Sequence, residues 1–246
     1  MKDIAQHLWQ TEAIRASCIT KLPVEPGAEE LWKEIFGLPP EETASRSSQT
    51  LRTANGSIGN GRLEMRVRFN RIDWIMTPEE PPIGKIPSLG PAKEAHLFLT
   101  EAILRWLKSG TTPSVVRLAF CPAYFITTES VEESSNMLQD FLAQPSKIFE
   151  SAQDILVRRN YQTKLRTLPE TSLNRISTIS TVAVQIISAS QDSTTPSFED
   201  RSLLKIEIDI NTAANRAQEI PEDKIAPTFS ELIAVASEIL ENGHHP

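Results

Sequence analysis

Residues 62–69 read Arg-Leu-Glu-Met-Arg-Val-Arg-Phe, and every second side chain is apolar. A period of two matches the pleat of a β-strand, whose successive side chains point to opposite faces. Leu63, Met65, Val67 and Phe69 therefore define an inward face, and Arg62, Glu64, Arg66 and Arg68 a wet one. Asn70-Arg71 is expected as the turn, after which Ile72, Trp74 and Met76 return on the inward side. An antiparallel meander with one solvated face follows from this pattern. Few chains with such a segment can avoid building a sheet around it.

The remaining elements fit that frame. A first strand is expected at 16–24 and a short amphipathic helix at 28–37, where Leu31, Trp32, Ile35 and Phe36 share a side and Gly37 closes it. Residues 39–48 read as a polar loop, and 50–54 lead into the glycine-rich turn Asn55–Gly61. Residues 78–90 form a connection rich in proline and glycine, and a helix is expected over 91–108. Residues 114–120 are apolar on both faces and belong in the centre of a sheet, continued by 124–126 after Pro122. A helix at 130–142 precedes strands near 154–165, 174–189 and 202–211, an exposed hairpin loop at 190–201, and a helix over 222–241. Leu204, Ile206, Ile208 and Ile210 alternate with Lys205, Glu207 and Asp209 as cleanly as the first meander. The fold class expected is α+β: antiparallel β-meanders covered by amphipathic helices. The chain reads as a single unit over 1–246, with two related β-then-helix halves at 1–128 and 129–246 as a further possibility.

Charge and composition narrow the function classes. The chain has 246 residues with 25 basic and 32 acidic side chains, a formal net charge of −7. Such a field repels phosphate and disfavours non-specific binding to nucleic acid or anionic membranes. Residues 1–20 contain no apolar secretory core, and no run of about 18 apolar residues occurs, so a soluble cytoplasmic protein is expected. Cys18 and Cys121 sit in apolar settings and read as buried small hydrophobes, with a single disulfide between them as the alternative.

Motif-bearing chemistry is sparse. Gly56-Ser57-Ile58-Gly59-Asn60-Gly61 lacks the following helix and the lysine of a phosphate loop, so it reads as a hairpin turn. None of His7, His96, His244 and His245 sits within ligand spacing of a cysteine, and no metal site or cofactor is expected. No serine stands in a nucleophile motif; a histidine meeting Cys18 or Cys121 in space is a pairing that spacing does not reveal. Glu207 and Asp209 resemble paired acids on a wet strand face, and there solvated carboxylates are the ordinary reading. The one local feature with binding character is the arginine set Arg62, Arg66, Arg68 and Arg71. Guanidinium forks favour carboxylate or phosphate partners, although cross-strand pairing on a solvated face explains the set as well. No aromatic residues interleave on that face for base stacking, so an acidic protein suits it better than nucleic acid. Trp9 and Trp32 are further candidates, as aromatic anchors for a partner.

The strand Arg62–Phe69, then Arg71-Ile72-Asp73-Trp74, the helix ending Leu104-Arg105-Trp106-Leu107, the strand Val116–Phe120 and the late Leu204–Asn211 occur in a particular order. In that order they resemble a sporadically distributed family of uncharacterised bacterial proteins of similar length. The resemblance implies this fold and an accessory role of the defence or toxin–antitoxin kind, but no catalytic residue. Ala119-Phe120-Cys121 departs from the polar centre of the family's middle motif, and Glu207 with Asp209 only approximates its acidic one. The expected function is a non-enzymatic interaction subunit, inhibitor or antitoxin-like partner. The alternatives are a metal-dependent hydrolase or nuclease built from distant acids, and nucleic-acid binding through the arginine face.

Overall fold

A computed structural model of the chain describes residues 9–46, 51–80, 84–142, 154–188, 197–213 and 218–242. The strands among them are β1 (Gln10–Thr20), β2 (Glu42–Arg46), β3 (Leu51–Ile58), β4 (Gly61–Arg68), β5 (Arg71–Pro78), β6 (Val115–Thr128), β7 (Leu156–Lys164), β8 (Ser172–Ser188) and β9 (Ser197–Thr212). They form one antiparallel sheet in the order β2-β3-β4-β5-β1-β6-β9-β8-β7. The helices are α1 (Ala28–Phe36), α2 (Ala92–Ala95), α3 (Leu97–Leu107), α4 (Val131–Leu142) and α5 (Glu222–Asn242), which makes the architecture mixed α+β.

Alternation sets the two faces of this sheet. Leu63, Met65 and Val67 of β4 pair with Met76, Trp74 and Ile72 of β5, and all six are buried. The same face continues through Ile14, Ala16 and Cys18 of β1, Leu118 and Phe120 of β6, and Ile206, Ile208 and Ile210 of β9. Aromatic side chains tie helices to it. Trp106 of α3 meets Trp74 edge-on at 5.7 Å, and Phe229 of α5 meets Phe120 at 6.2 Å. Phe141 of α4 meets Trp9 at 5.8 Å, and α1 lays Leu31, Trp32 and Ile35 against β3 and β4. Trp9 and Trp32, expected as exposed anchors, are 2% and 0% exposed and so belong to the core.

Several boundaries differ from the expectation, each for a local reason. β1 begins at Gln10 and ends at Thr20 rather than running from 16 to 24; beyond Thr20, the Lys21 amide donates to the Ser114 carbonyl and Leu22 turns outward. β2 lies where a loop was expected. Glu-Thr-Ala-Ser-Arg is exposed at every position, so the backbone ladder to β3 and the ion pair of Glu42 with Arg62 hold it, and no hydrophobic alternation marks it. β3 runs straight through Asn55-Gly56-Ser57, and the turn is confined to Gly59-Asn60, with Gly59 at φ 59°. At Gly56 a Cβ would stand 3.0 Å from the buried Trp32 ring, a tight contact that glycine avoids. In the next hairpin Arg68 pairs with Arg71, so the loop is Phe69-Asn70; Phe69 is 62% exposed rather than inward, and Arg71 is a strand residue.

The helix expected over 91–108 is interrupted at His96, between α2 and α3. β6 is a single strand through Pro122, flanked by β1 and β9 near the middle of the sheet. β9 starts at Ser197 and stays in register with β8 out to Ser188, so residues 197–201 are strand; the rest of the expected 190–201 loop lies outside the described residues.

Gly61 offers a direct test of the packing between β4 and β5. A Cβ there would stand 2.5 Å from the Thr77 carbonyl oxygen and run into Leu89. The carbonyl belongs to a paired strand and cannot swing away. Gly61→Ala is therefore expected to destabilise the fold by about 1–3 kcal/mol, read as a lower urea midpoint.

Candidate binding face

The face of the sheet opposite the buried one is where polar chemistry collects. Cross-strand register places Arg66 of β4, Asp73 of β5, Ser17 of β1, Ala119 of β6, Asn211 of β9, Asn174 of β8 and Gln162 of β7 in one transverse row. Two hydrogen-bonded networks occupy this row and its neighbours. In the first, Asp73 is 3% exposed and its Oδ1 accepts from Ser17 Oγ at 2.5 Å and from Arg71 Nε and Nη2 at 2.9 and 2.7 Å. In the second, Asn211 Oδ1 accepts from Arg117 Nη2 at 2.8 Å and from Asn174 Nδ2 at 2.9 Å, and Asn211 Nδ2 donates to Asp209 Oδ1 at 2.7 Å. Gln162 extends it by donating to Asn174 at 3.0 Å, and Arg117 Nε donates to the Thr212 carbonyl at 3.0 Å.

Between the networks the side chains are short. The central outward positions of β1 and β6 are Ser17, Ala119 and Cys121, with Ile19 beside them, and over them lies a depression of about 130 Å³. Arg15, Arg71 and Arg117 line it, together with Asp209 and Asn211. Arg15 is exposed and makes no ion pair or hydrogen bond among the described residues.

The four arginines singled out from sequence all stand on this face, on β4 and β5. Arg62 pairs with Glu42 at 3.0 Å and Glu41 at 3.4 Å, Arg66 with Glu64 at 2.6 Å, and Arg71 with Asp73; Arg68 is exposed. Arg71 joins the depression, whereas Arg62, Arg66 and Arg68 do not line it. Arg15 and Arg117 were missed, since a single arginine in an otherwise apolar strand carries no pattern of its own.

No family model, curated protein or solved structure matches this chain. The chemistry of the site therefore rests on its own geometry. Among the described residues no helix is long and apolar enough to cross a membrane.

The other candidate groups are accounted for individually. Both cysteines are free, Cys18 on the buried face and Cys121 on the opposite one, so no disulfide joins them. Burial pushes the Cys18 thiol up to about 12. Cys121 is raised as well, by burial first and then by Asp209, whose Oδ1 accepts from its Sγ at 3.3 Å. Neither supplies a thiolate near neutral pH. Asp209 is thus held by Cys121 and Asn211, while Glu207 pairs with Lys205 at 3.0 Å. Among the described residues, no group of three or more histidine, cysteine, aspartate or glutamate side chains is placed to hold a metal ion. His7, His244 and His245 lie outside the described residues.

His96 sits at the helix interruption. Its Nδ1 lies 3.1 Å from the Ala92 carbonyl oxygen and its ring faces Phe120 at 6.3 Å. Burial lowers its pKa from the ordinary 6.5, although the Ala92 contact opposes this. The unfolded chain then takes up a proton more readily than the folded one. Stability is full above about pH 6.5 and falls as pH drops through the folded value, levelling once the folded ring is also charged. His96→Gln is expected to remove the fall in stability below about pH 6.5, as measured by urea titrations at successive pH values.

Proposed function

We propose that the chain is a non-enzymatic interaction subunit that docks an acidic partner protein on the arginine-bearing face of its sheet. The observation that carries this reading is the gathering of arginines on one face, of which Arg15, Arg68 and Arg117 have no carboxylate partner among the described residues. In a chain of net charge −7, Arg15, Arg62, Arg66, Arg68, Arg71 and Arg117 stand on one sheet face, on four adjacent strands. We read the five helices among the described residues as a layer covering the other face, because buried apolar side chains such as Trp32, Trp106 and Phe229 join them to its strands. Among the described residues, that leaves the arginine face without a helix over it. Interfaces built this way gain on-rate and specificity from charge complementarity, and they weaken as salt rises.

The resemblance of the strand motifs to a sporadically distributed bacterial family supports an accessory setting, with an inhibitor or antitoxin-like role. Nucleic acid is the less favoured ligand, since the net charge of −7 repels phosphate at long range.

Arg66→Ala combined with Arg68→Ala is the test. Partner captured from the native host at low salt is expected to fall by about tenfold or more in the double variant, and to be released from the parent chain by about 0.5 M salt. Undiminished capture by the double variant would count against the face. Salt-sensitive binding of a fluorescent oligonucleotide, lost in the same variant, would transfer the surface to nucleic acid.

A further inference from the structure

We infer that the depression between the two polar networks is a carboxylate-binding pocket, the seat of one acidic side chain or chain terminus of the partner. This rests on the docking reading above and names the chemistry at its centre. Three guanidinium groups from three adjacent strands, Arg15 of β1, Arg71 of β5 and Arg117 of β6, line a single depression. Two of them are pre-positioned. Arg71 is fixed through Nε and Nη2 on Asp73, and Arg117 through Nε and Nη2 on Thr212 and Asn211. In each, Nη1 carries no hydrogen bond among the described residues. Arg15 uses none of its donors on them.

The floor is made for a small group. Ser17, Ala119 and Cys121 leave space of about 130 Å³ and carry no charge of their own near neutral pH. Charge decides which anion fits. Three guanidinium groups stand against the carboxylates of Asp73 and Asp209, a surplus of a single positive charge. A carboxylate, with one negative charge and two coplanar acceptors, neutralises that surplus and matches the guanidinium fork. A phosphate monoester, at about −1.5 to −2 near neutral pH, overshoots it. A cation is repelled by the same three groups.

The experiment observes arginine Nε–Hε resonances of the full chain during titration with sodium acetate, sodium phosphate, and an acetylated Glu-Gly repeat peptide with an amidated end, at constant ionic strength set with sodium chloride. Acetate is expected to shift the Arg71 and Arg117 signals saturably. Arg15→Ala, a change at an exposed unpaired residue that the fold tolerates, should weaken acetate by about tenfold. Linear, unsaturable shifts, or equal acetate affinity in Arg15→Ala, would overturn the pocket. Phosphate saturating the site more tightly than acetate would overturn the carboxylate assignment. The peptide separates the two levels of the proposal. Peptide binding lost in Arg66→Ala with Arg68→Ala, without acetate saturation, keeps the docking face and removes the pocket. Acetate saturation with no peptide binding keeps the pocket and removes the docking face.

Discussion

Asp73→Ala is expected to lower the unfolding free energy by about 3 kcal/mol, the largest loss from any single polar residue described above. The carboxylate is 3% exposed and a single oxygen accepts from Ser17 and twice from Arg71. Deleting it leaves a serine hydroxyl without its acceptor and a guanidinium with no counter-charge, 36% exposed at the edge of the cluster. The half-exposure of Arg71 keeps the cost at the lower end of the range for broken buried pairs, since water reaches part of the orphaned charge. Two companion variants separate the contributions. Asp73→Asn retains an acceptor for Ser17 but not the charge, and should cost about half as much; Ser17→Ala should cost about 1 kcal/mol. Urea titrations at neutral pH read all three. Raising salt to about 0.5 M should barely change the ordering, because the carboxylate is shielded from mobile ions. A loss under about 1 kcal/mol for Asp73→Ala would mean the network is peripheral to the fold.

The neighbouring residue carries a comparable load on the opposite face. Trp74→Ala is expected to cost about 4 kcal/mol, within the range for emptying a buried aromatic site. Trp74 is 1% exposed and meets Trp106 of α3 edge-on at 5.7 Å, so its removal opens a void between sheet and helix. The volume on the helix side belongs to Trp106, which is 4% exposed and equally rigid, so the void cannot collapse cheaply. Trp74→Phe should be much milder, about 1 kcal/mol. It sheds volume, but also an indole N–H that has no hydrogen-bond partner among the described residues. The double variant with Trp106→Ala should fall short of additivity, because the two rings share one contact and one cavity. Full additivity would show that the pair is not coupled.

These two residues also mark what the sequence conveys and what it does not. Trp74 was legible. The alternation Ile72, Trp74, Met76 puts it on the inward face whatever the strand order, because hydrophobic period is a local signal. The faces of β4 and β9, the helix at 28–36 and the central position of β6 were legible for the same reason. Asp73 was not. Its importance depends on β1 lying beside β5, which brings Ser17 to it across 56 positions, and no pattern in either strand announces that pairing. Of the pocket, Arg71 was within reach, as one of four arginines on an alternating hairpin. Arg15 and Arg117 become neighbours only through strand order. β2 was illegible in another way: an edge strand exposed on both faces has no hydrophobic partner to please, and its residues look like a loop.

Strand order has a consequence in time. β1 is made before every other described strand, yet its two neighbours are β5 and β6, and β6 in turn pairs with β9. As the chain leaves the ribosome at about 5–20 residues per second, the meander β3–β4–β5 can form early and accept β1 on its flank. β6 can then add to β1, but its far edge stays unpaired for several seconds until Ser197–Thr212 has been synthesised. Throughout that interval a nascent half-sheet presents an open strand edge with unpaired N–H and C=O groups. Slower translation is expected to prolong this exposure, and a holding chaperone to offset it.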